Sequence, residues 1–226
     1  MDKPTHRAIK DGLFAQFARV GKAVGSPKRV ELLDLLSQGE KPVEVLAAQA
    51  EASIKNTSAH LRELRLARMV ETRREGTRIF YRLADPDVFQ FLRILQSLAR
   101  KQLAELEQVM KLYLEGRDNL EPVTAEELLR RMRRKEVTVL DVRPADEYRQ
   151  GHVPGALSVP VAELERRLGE LSKRKEIVAY CRGPYCLFAI EAVEILRRRG
   201  FRVRRLIAGL PDWASKGFPV ALEARS

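Results

Sequence analysis

Residues 177–196 constrain the fold of this chain more than any other stretch. Residues 177–180 form a short apolar run suited to a buried parallel strand, and residues 187–199 are apolar at helical spacing with Gly200 as the stop. Between them lie the two cysteines of the chain, Cys181 and Cys186, in a segment that must turn within a few residues. Gly183 and Pro184 permit the turn. A loop wrapping ahead of a helix N-terminus points backbone N–H groups inward, and the helix dipole adds positive potential. Donors of that kind stabilise a thiolate, so a Cys181 sulfur at their centre is expected to ionise readily, with the Arg182 cation beside it. The plainer reading of Cys181 is a small buried hydrophobe. Cys186 is either an inert residue at the helix start or a resolving thiol that captures an oxidised Cys181, and the spacing leaves both open.

The same alternation runs through the C-terminal half. Thr124 and Glu127 make a capping box for a short helix. Residues 137–142 then read as a strand, 145–150 as a helix, 156–159 as a strand, 161–171 as a helix and 203–207 as a strand. Strands alternating with helices imply an α/β domain with a parallel sheet covered on both faces and its site at the C-terminal strand ends, where Cys181 sits.

The N-terminal half is mostly α. Ile9, Leu13, Phe14, Phe17, Val20 and Val24 recur at helical spacing over residues 5–24. Ser26 and Pro27 start a second helix that runs to Gly39. A third, over residues 42–50, and a fourth, capped by Ser53 and reaching residue 67, suggest a helix-turn-helix. On the fourth helix Ile54, Thr57, Leu61 and Leu64 form the core side. Lys55, Asn56, Ser58, Ala59 and Arg62 then face outward as groups able to approach base edges and phosphates. His60, on the boundary, is either a structural hydrogen-bonding group or a DNA contact. Residues 70–83 are two β-prone runs around Glu75 and Gly76, a hairpin with Arg73, Arg74 and Arg78 crowding its tip, and beside a helix-turn-helix it reads as a wing that lays arginines along a phosphate backbone or into a minor groove.

Residues 86–115 predict one long helix with an apolar seam through Val88, Leu92, Leu95, Ala99, Leu106, Val109 and Tyr113, interrupted at Gln102. One small domain hardly covers that length, so the helix at 86–115 is expected to pair two copies as a homodimer. Residues 116–122 read as a linker, giving domains at 1–117 and 122–226. Lys and Arg total 42 against 31 Asp and Glu, a net charge of +11 that suits a double-stranded DNA partner. The cysteine usage and the absence of a membrane-length apolar run point to a cytoplasmic protein without a membrane partner.

Residues 52–70 with residues 73–83 resemble the recognition helix and wing of the ArsR-type winged-helix repressors, over roughly the first hundred residues. Metal-sensing members carry a cysteine pair in the helix before the turn. Residues 41–49 hold no thiol, so no metal site is expected and the signal must enter elsewhere. In that family the first helix and the long one form the dimer interface.

Leu140-Asp-Val-Arg-Pro-Ala-Asp-Glu-Tyr148, Gly151-His-Val-Pro-Gly-Ala156, the loop after Tyr180, and Ala208-Gly-Leu-Pro-Asp-Trp213 resemble a single rhodanese domain in order and spacing. The resemblance implies that Cys181 carries a persulfide taken from a donor such as thiosulfate or polysulfide. It also implies that the N–H groups of residues 182–186, Arg182, Gly183, Tyr185 and Cys186 among them, cradle the sulfur, and that Asp141 and Arg143 support the site. Arg143 read alone is an ion-pair partner of Asp146 or Glu147, and His152 a turn-stabilising side chain. The loop departs from the simple sulfurtransferase pattern at Pro184, Tyr185 and Cys186. The expectation is a multidomain DNA-binding regulator whose rhodanese domain senses or transfers sulfane sulfur, with no cofactor. The alternative is a thiosulfate-type sulfurtransferase that the winged helix dimerises or tethers to DNA.

Overall fold

The computed structural model describes residues 5–114 and 122–223. The expected linker, apart from Pro122, and the end of the long helix at residue 115 lie outside the described residues. The chain divides into two compact units, Met1–Leu98 and Ala99–Ser226.

In the first unit α1 (His6–Ala23) starts at Thr5, whose Oγ1 accepts from the Ala8 N–H. α2 (Pro27–Ser37) follows an extended Ser26 with Pro27 in its first turn. α3 (Val43–Gln49) and α4 (Ile54–Leu66) are the helix-turn-helix pair, and Ser53 Oγ caps α4 by accepting from the Asn56 N–H. β1 (Lys41–Pro42), β2 (Val70–Glu75) and β3 (Arg78–Leu83) form an antiparallel sheet in the order β1-β3-β2. Gly76 makes the hairpin turn at φ +58°, where a side chain would be strained. Leu32, Leu33, Leu46, Leu61, Leu64 and Leu92 are almost wholly buried in one core. Ile54 is not part of it: at the first position of α4 it is 52% exposed, so the core side of that helix is Thr57, Leu61 and Leu64 alone.

The long helix is a correction to the sequence reading. α5 (Pro86–Gln102) ends, Leu103 falls outside, and α6 (Ala104–Leu114) begins. At the junction the Leu103 N–H still reaches the Ala99 carbonyl four residues back, whereas the Leu106 N–H reaches Leu103 three residues back. The i−4 ladder is therefore interrupted. Leu103 is 53% exposed, so no burial offsets the break.

In the second unit α7 (Ala125–Arg133), capped by Thr124 Oγ1 on the Glu127 N–H, leads to β4 (Val137–Asp141), α8 (Ala145–Gln150), β5 (Leu157–Ser158), a 3₁₀ helix (Val161–Glu170), β6 (Glu176–Tyr180), α9 (Phe188–Arg198), β7 (Val203–Arg205) and α10 (Leu210–Ser215). The segment expected as an α-helix at 161–171 is thus 3₁₀. The sheet is parallel in the order β5-β4-β6-β7, with Asp141 beside Tyr180. Alternation along the strands fills two cores. Leu140, Ile177, Ala179 and Cys181 face α9 and the 3₁₀ helix, while Val139, Val178 and Tyr180 face α7 and α10. Trp213 anchors the second core, fully buried, with its indole N–H donating to Pro219 O at 2.8 Å and Phe218 packed edge-on at 4.9 Å.

Candidate functional site

The cysteine loop joins β6 to α9 at the C-terminal edge of the parallel sheet. Strand parity turns Cys181 inward against α9, where it is 2% exposed, while Cys186 is half-buried at the loop's end. Both are free thiols. The Cys181 sulfur faces the carbonyl oxygens of Cys186 at 3.4 Å and Gly183 at 3.8 Å, and the two sulfurs hydrogen-bond one another. The N–H groups of Gly183 and Ala189 also reach Cys181; those of Arg182 and Phe188 reach Cys186. The Cys186 N–H closes the turn on Gly183 O at 3.1 Å.

Burial pushes the Cys181 thiol well above its ordinary value, and its contact with Cys186 adds to the rise. The Cys181 hydrogen bond, helped by the Arg182 and Phe188 N–H groups and opposed by burial, holds Cys186 below the ordinary value. The strand's alternation directs Cys181 into a dry core, and that burial opposes the ready ionisation expected of it. Of the expected cradle at 182–186, the Gly183 N–H serves Cys181 and the Arg182 N–H serves Cys186. Tyr185 is half-buried.

The Arg182 guanidinium is gripped by Glu147 of α8, with Nη2 at 2.6 Å and Nε at 3.1 Å from the carboxylate, and it lies over the Phe188 ring at 5.1 Å. Glu147 is fully buried. Asp141 and Arg143 are equally buried but belong to the opposite sheet face from Cys181. Asp141 Oδ2 accepts from Arg143 Nη2 at 2.6 Å and from the Tyr180 hydroxyl at 2.5 Å, and the Tyr180 oxygen accepts from the Val153 N–H at 3.1 Å. Arg143 also donates to Gly151 O at 2.7 Å, tying the end of β4 to the end of α8. Burial works against the charge on Arg143, yet its bonds to Asp141 outweigh that and raise its pKa further. These two residues brace the backbone beneath the loop, with Arg143 paired to Asp141 and acted on by the Glu147 charge as well. His152 stacks on Tyr148 at 3.7 Å with Nδ1 3.0 Å from Tyr148 O, and its backbone pairs with Ala221, the turn-stabilising arrangement.

In the first unit α4 has Lys55, Asn56, Ala59 and Arg62 exposed, with Ser58 and His60 half-buried at the margins. Arg74 at the hairpin tip bonds back to Gly76 O at 3.0 Å, and Arg78 is exposed. Arg73 differs from the reading of a tip arginine directed at phosphates. It bridges Glu40 at 2.6 Å and Glu75 at 2.5 Å and lies 4.8 Å from the Phe80 ring, bracing the wing against the segment before α3.

Residues 124–216 match the rhodanese-like domain family, and residues 26–72 match the bacterial regulatory protein, arsR family. Over 211 residues the chain is 44% identical to the HTH-type transcriptional regulator Rv0324 of Mycobacterium tuberculosis, spanning 93% of this chain and 92% of that protein. The chain belongs to the arsR-family transcriptional regulators with a rhodanese-like domain. The regulator is also 32% identical over 87 residues to a sulfurtransferase of Allochromatium vinosum, covering 38% of the regulator and 79% of that protein. A solved homodimeric winged helix-turn-helix DNA-binding domain, fragment 1–100 of Mb0332 from Mycobacterium bovis, is 41% identical with a TM-score of 0.41, covering 46% of the regulator and 94% of that chain.

Two residues of the regulator's loop environment have roles that the sequence reading missed. Glu147 was read as a possible ion-pair partner of Arg143, and nothing in its spacing pointed thirty-odd residues ahead to Arg182. Gly209 stood inside a quoted motif without a role; it packs against the Arg182 backbone so closely that no side chain fits. Among the described residues no helix is long and apolar enough to cross a membrane.

Proposed function

We propose that this regulator binds operator DNA as a homodimer and changes its DNA affinity when sulfane sulfur reacts at the Cys181 and Cys186 pair. The observation that carries the reading is a pair of free thiols in hydrogen-bond contact, held by backbone N–H groups at a strand end, in a chain that also carries a winged helix-turn-helix. Polysulfide or thiosulfate supplies the sulfur, and a persulfide or a disulfide cannot occupy the loop in the geometry of two thiols. Lys55, Asn56, Ser58, Ala59, His60 and Arg62 meet the major groove, and Arg74 and Arg78 meet the backbone beside it. Dimerisation uses the face of α1 where Phe14 and Phe17 are 58% and 67% exposed, together with the α5 stripe at Ile94 and Leu98, exposed 67% and 55%.

A gel shift on the DNA upstream of the protein's own coding sequence tests this with reduced and polysulfide-treated protein. Affinity should differ by about 5- to 150-fold between the two, the usual range of allosteric coupling. In the Cys181→Ser/Cys186→Ser double variant treatment should leave affinity unchanged. A wild-type affinity indifferent to polysulfide removes the sensing role.

A further inference from the structure

We propose that the rhodanese-like unit carries a second nucleic-acid surface at the N-terminal edge of its parallel sheet, and that its partner is the phosphate backbone of duplex DNA. The inference goes beyond the operator and sulfur reading above, which assigns no partner to this edge.

Three connections enter the sheet side by side there. Residues 133–136 lead from α7 into β4, residues 173–175 from the 3₁₀ helix into β6, and residues 197–202 from the end of α9 into β7. Val137 stands opposite Glu176 and Ile177 opposite Val203, so the three strand starts are level and adjacent. At about 4.8 Å between strands, they span about 10 Å. These connections hold ten of the 25 Lys and Arg of residues 99–226 but one of their 19 Asp and Glu, Glu136. The rest of the unit therefore carries more carboxylates than cations. A surface charged only for solubility mixes the two signs; here the whole positive excess is gathered on one edge.

Much of that charge is uncompensated. Arg133, Lys135, Arg174 and Lys175 are exposed, and among the described residues their side chains pair with no carboxylate. Lys173 and Arg202 are anchored by backbone carbonyls instead: Lys173 Nζ donates to Arg199 O at 2.6 Å and lies 4.9 Å from the Phe201 ring, and Arg202 Nη2 donates to Arg174 O at 3.1 Å. Such bonds tie two connections together and leave the positive charge in place. Arg198 pairs with Glu194, whereas Arg134 and Arg199 have Glu136 and Glu165 only at 3.8 Å, and exposed pairs of that kind are weak. Lys135 adds an independent sign. Its φ of +56° is the left-handed conformation that Gly200, at φ +77°, takes at the exit of α9. A lysine thus occupies a place where glycine is conformationally easier.

The cysteine loop lies at the other end of the strands, about 15 Å away along the five residues of β6, so these cations do not serve the sulfur. A duplex carries about six phosphates in 10 Å of its length, and the helix-turn-helix on the same chain brings duplex to a high local concentration. Phe201, the aromatic residue of the three connections, is buried, which leaves no platform for stacking single-stranded bases. The edge is therefore suited to phosphates and not to base edges.

The full-length protein tests this on a random-sequence duplex of about 40 base pairs, where phosphate contacts carry the binding. Affinity is read across a salt series for the wild type, for Lys135→Gly/Arg174→Gln/Lys175→Gln and for Arg149→Gln/Arg166→Gln/Lys216→Gln. The last variant removes three exposed cations from outside the three connections. The first variant should lower the log–log salt slope by about three per chain engaged, about one for each lost phosphate contact, and weaken binding at least about tenfold at low salt. The second should move the slope by less than about one. Equal slopes in the two variants, or the wild-type slope in the first, overturn the inference. Tighter wild-type binding to single-stranded RNA than to the duplex, lost in the first variant, also overturns it and assigns the edge to a different polyanion. Preference for the DNA upstream of the coding sequence over the random duplex should survive in both variants, because the recognition helix is untouched. A wild type lacking that preference removes the operator reading and leaves this one standing. Every substituted side chain is exposed, and Lys135→Gly relieves the left-handed backbone, so circular dichroism should show both variants folded.

Discussion

A Cβ on Gly209 would stand 1.9 Å from the carbonyl oxygen of Arg182 and 2.8 Å from the Gly183 nitrogen. Gly209 has an ordinary φ of −86°, so close approach, not conformation, requires glycine there. The loop after β7 is thus a rigid backstop for the cysteine loop. Gly209→Ala must push the two backbones apart, at a cost of about 1–3 kcal/mol for an overpacked site. Thermal unfolding should show the loss.

Glu147 and Arg182 form a pair in which the carboxylate is wholly buried and the guanidinium side chain is 10% exposed. Glu147→Gln leaves that cation without its counter-charge, and breaking a buried pair by altering one partner costs about 3–5 kcal/mol. Arg182→Met/Glu147→Gln should recover part of it. Denaturant titration of Glu147→Gln, Arg182→Met and the double variant measures the coupling, and additive losses would remove the pair from the account of loop stability.

The Tyr180 hydroxyl stays protonated in the fold, its pKa raised by burial and by the Asp141 charge. A group raised in this way contributes stability that is fully present below its unfolded value, about 10 for tyrosine, and is lost as pH climbs toward the folded value. The second unit should therefore weaken in alkali above about pH 10. Tyr180→Phe should lose about 1–3 kcal/mol at neutral pH, because the Val153 N–H loses its acceptor, and should show a flatter alkaline limb. An unchanged alkaline slope in the variant assigns that limb to other groups.

The wing arginines are not equivalent. Arg78→Ala should lower the salt dependence of operator binding by about one unit, as expected for one phosphate contact. Arg73→Ala should change that slope less, since its guanidinium is committed to Glu40 and Glu75. Affinity measured across a salt series separates them; equal slopes would place Arg73 on the phosphates too.

Phe17, at 67% exposure the most open of the large hydrophobic side chains of α1, is the natural lesion for dimerisation. Phe17→Glu should leave the single chain folded and shift sedimentation toward the monomer, with DNA affinity falling because one recognition helix no longer positions the other. A variant that sediments like the wild type rules out the α1 face.

The two-unit order, the caps at Ser53 and Thr124, the wing hairpin and the parallel alternation around residues 177–196 were all legible, because each depends on local periodicity and local hydrogen bonds. Where the reading failed, contacts from distant segments decided. Ile54 fits the apolar period of α4 but sits a turn beyond the core. The seam through residues 86–115 predicts one helix, yet the ladder breaks at Leu103, where burial gives no support.

The amino-acid sequence by itself determined that a thiol pair would stand in a tight loop between a buried strand and a helix, since apolar period and turn chemistry leave few alternatives. Only the tertiary structure decided how deeply each thiol is buried, and that Arg182 turns to Glu147. Those outcomes depend on which sheet face receives α9 and where α8 returns, and burial and buried charge pairing are properties of the assembled neighbours, not of any one segment.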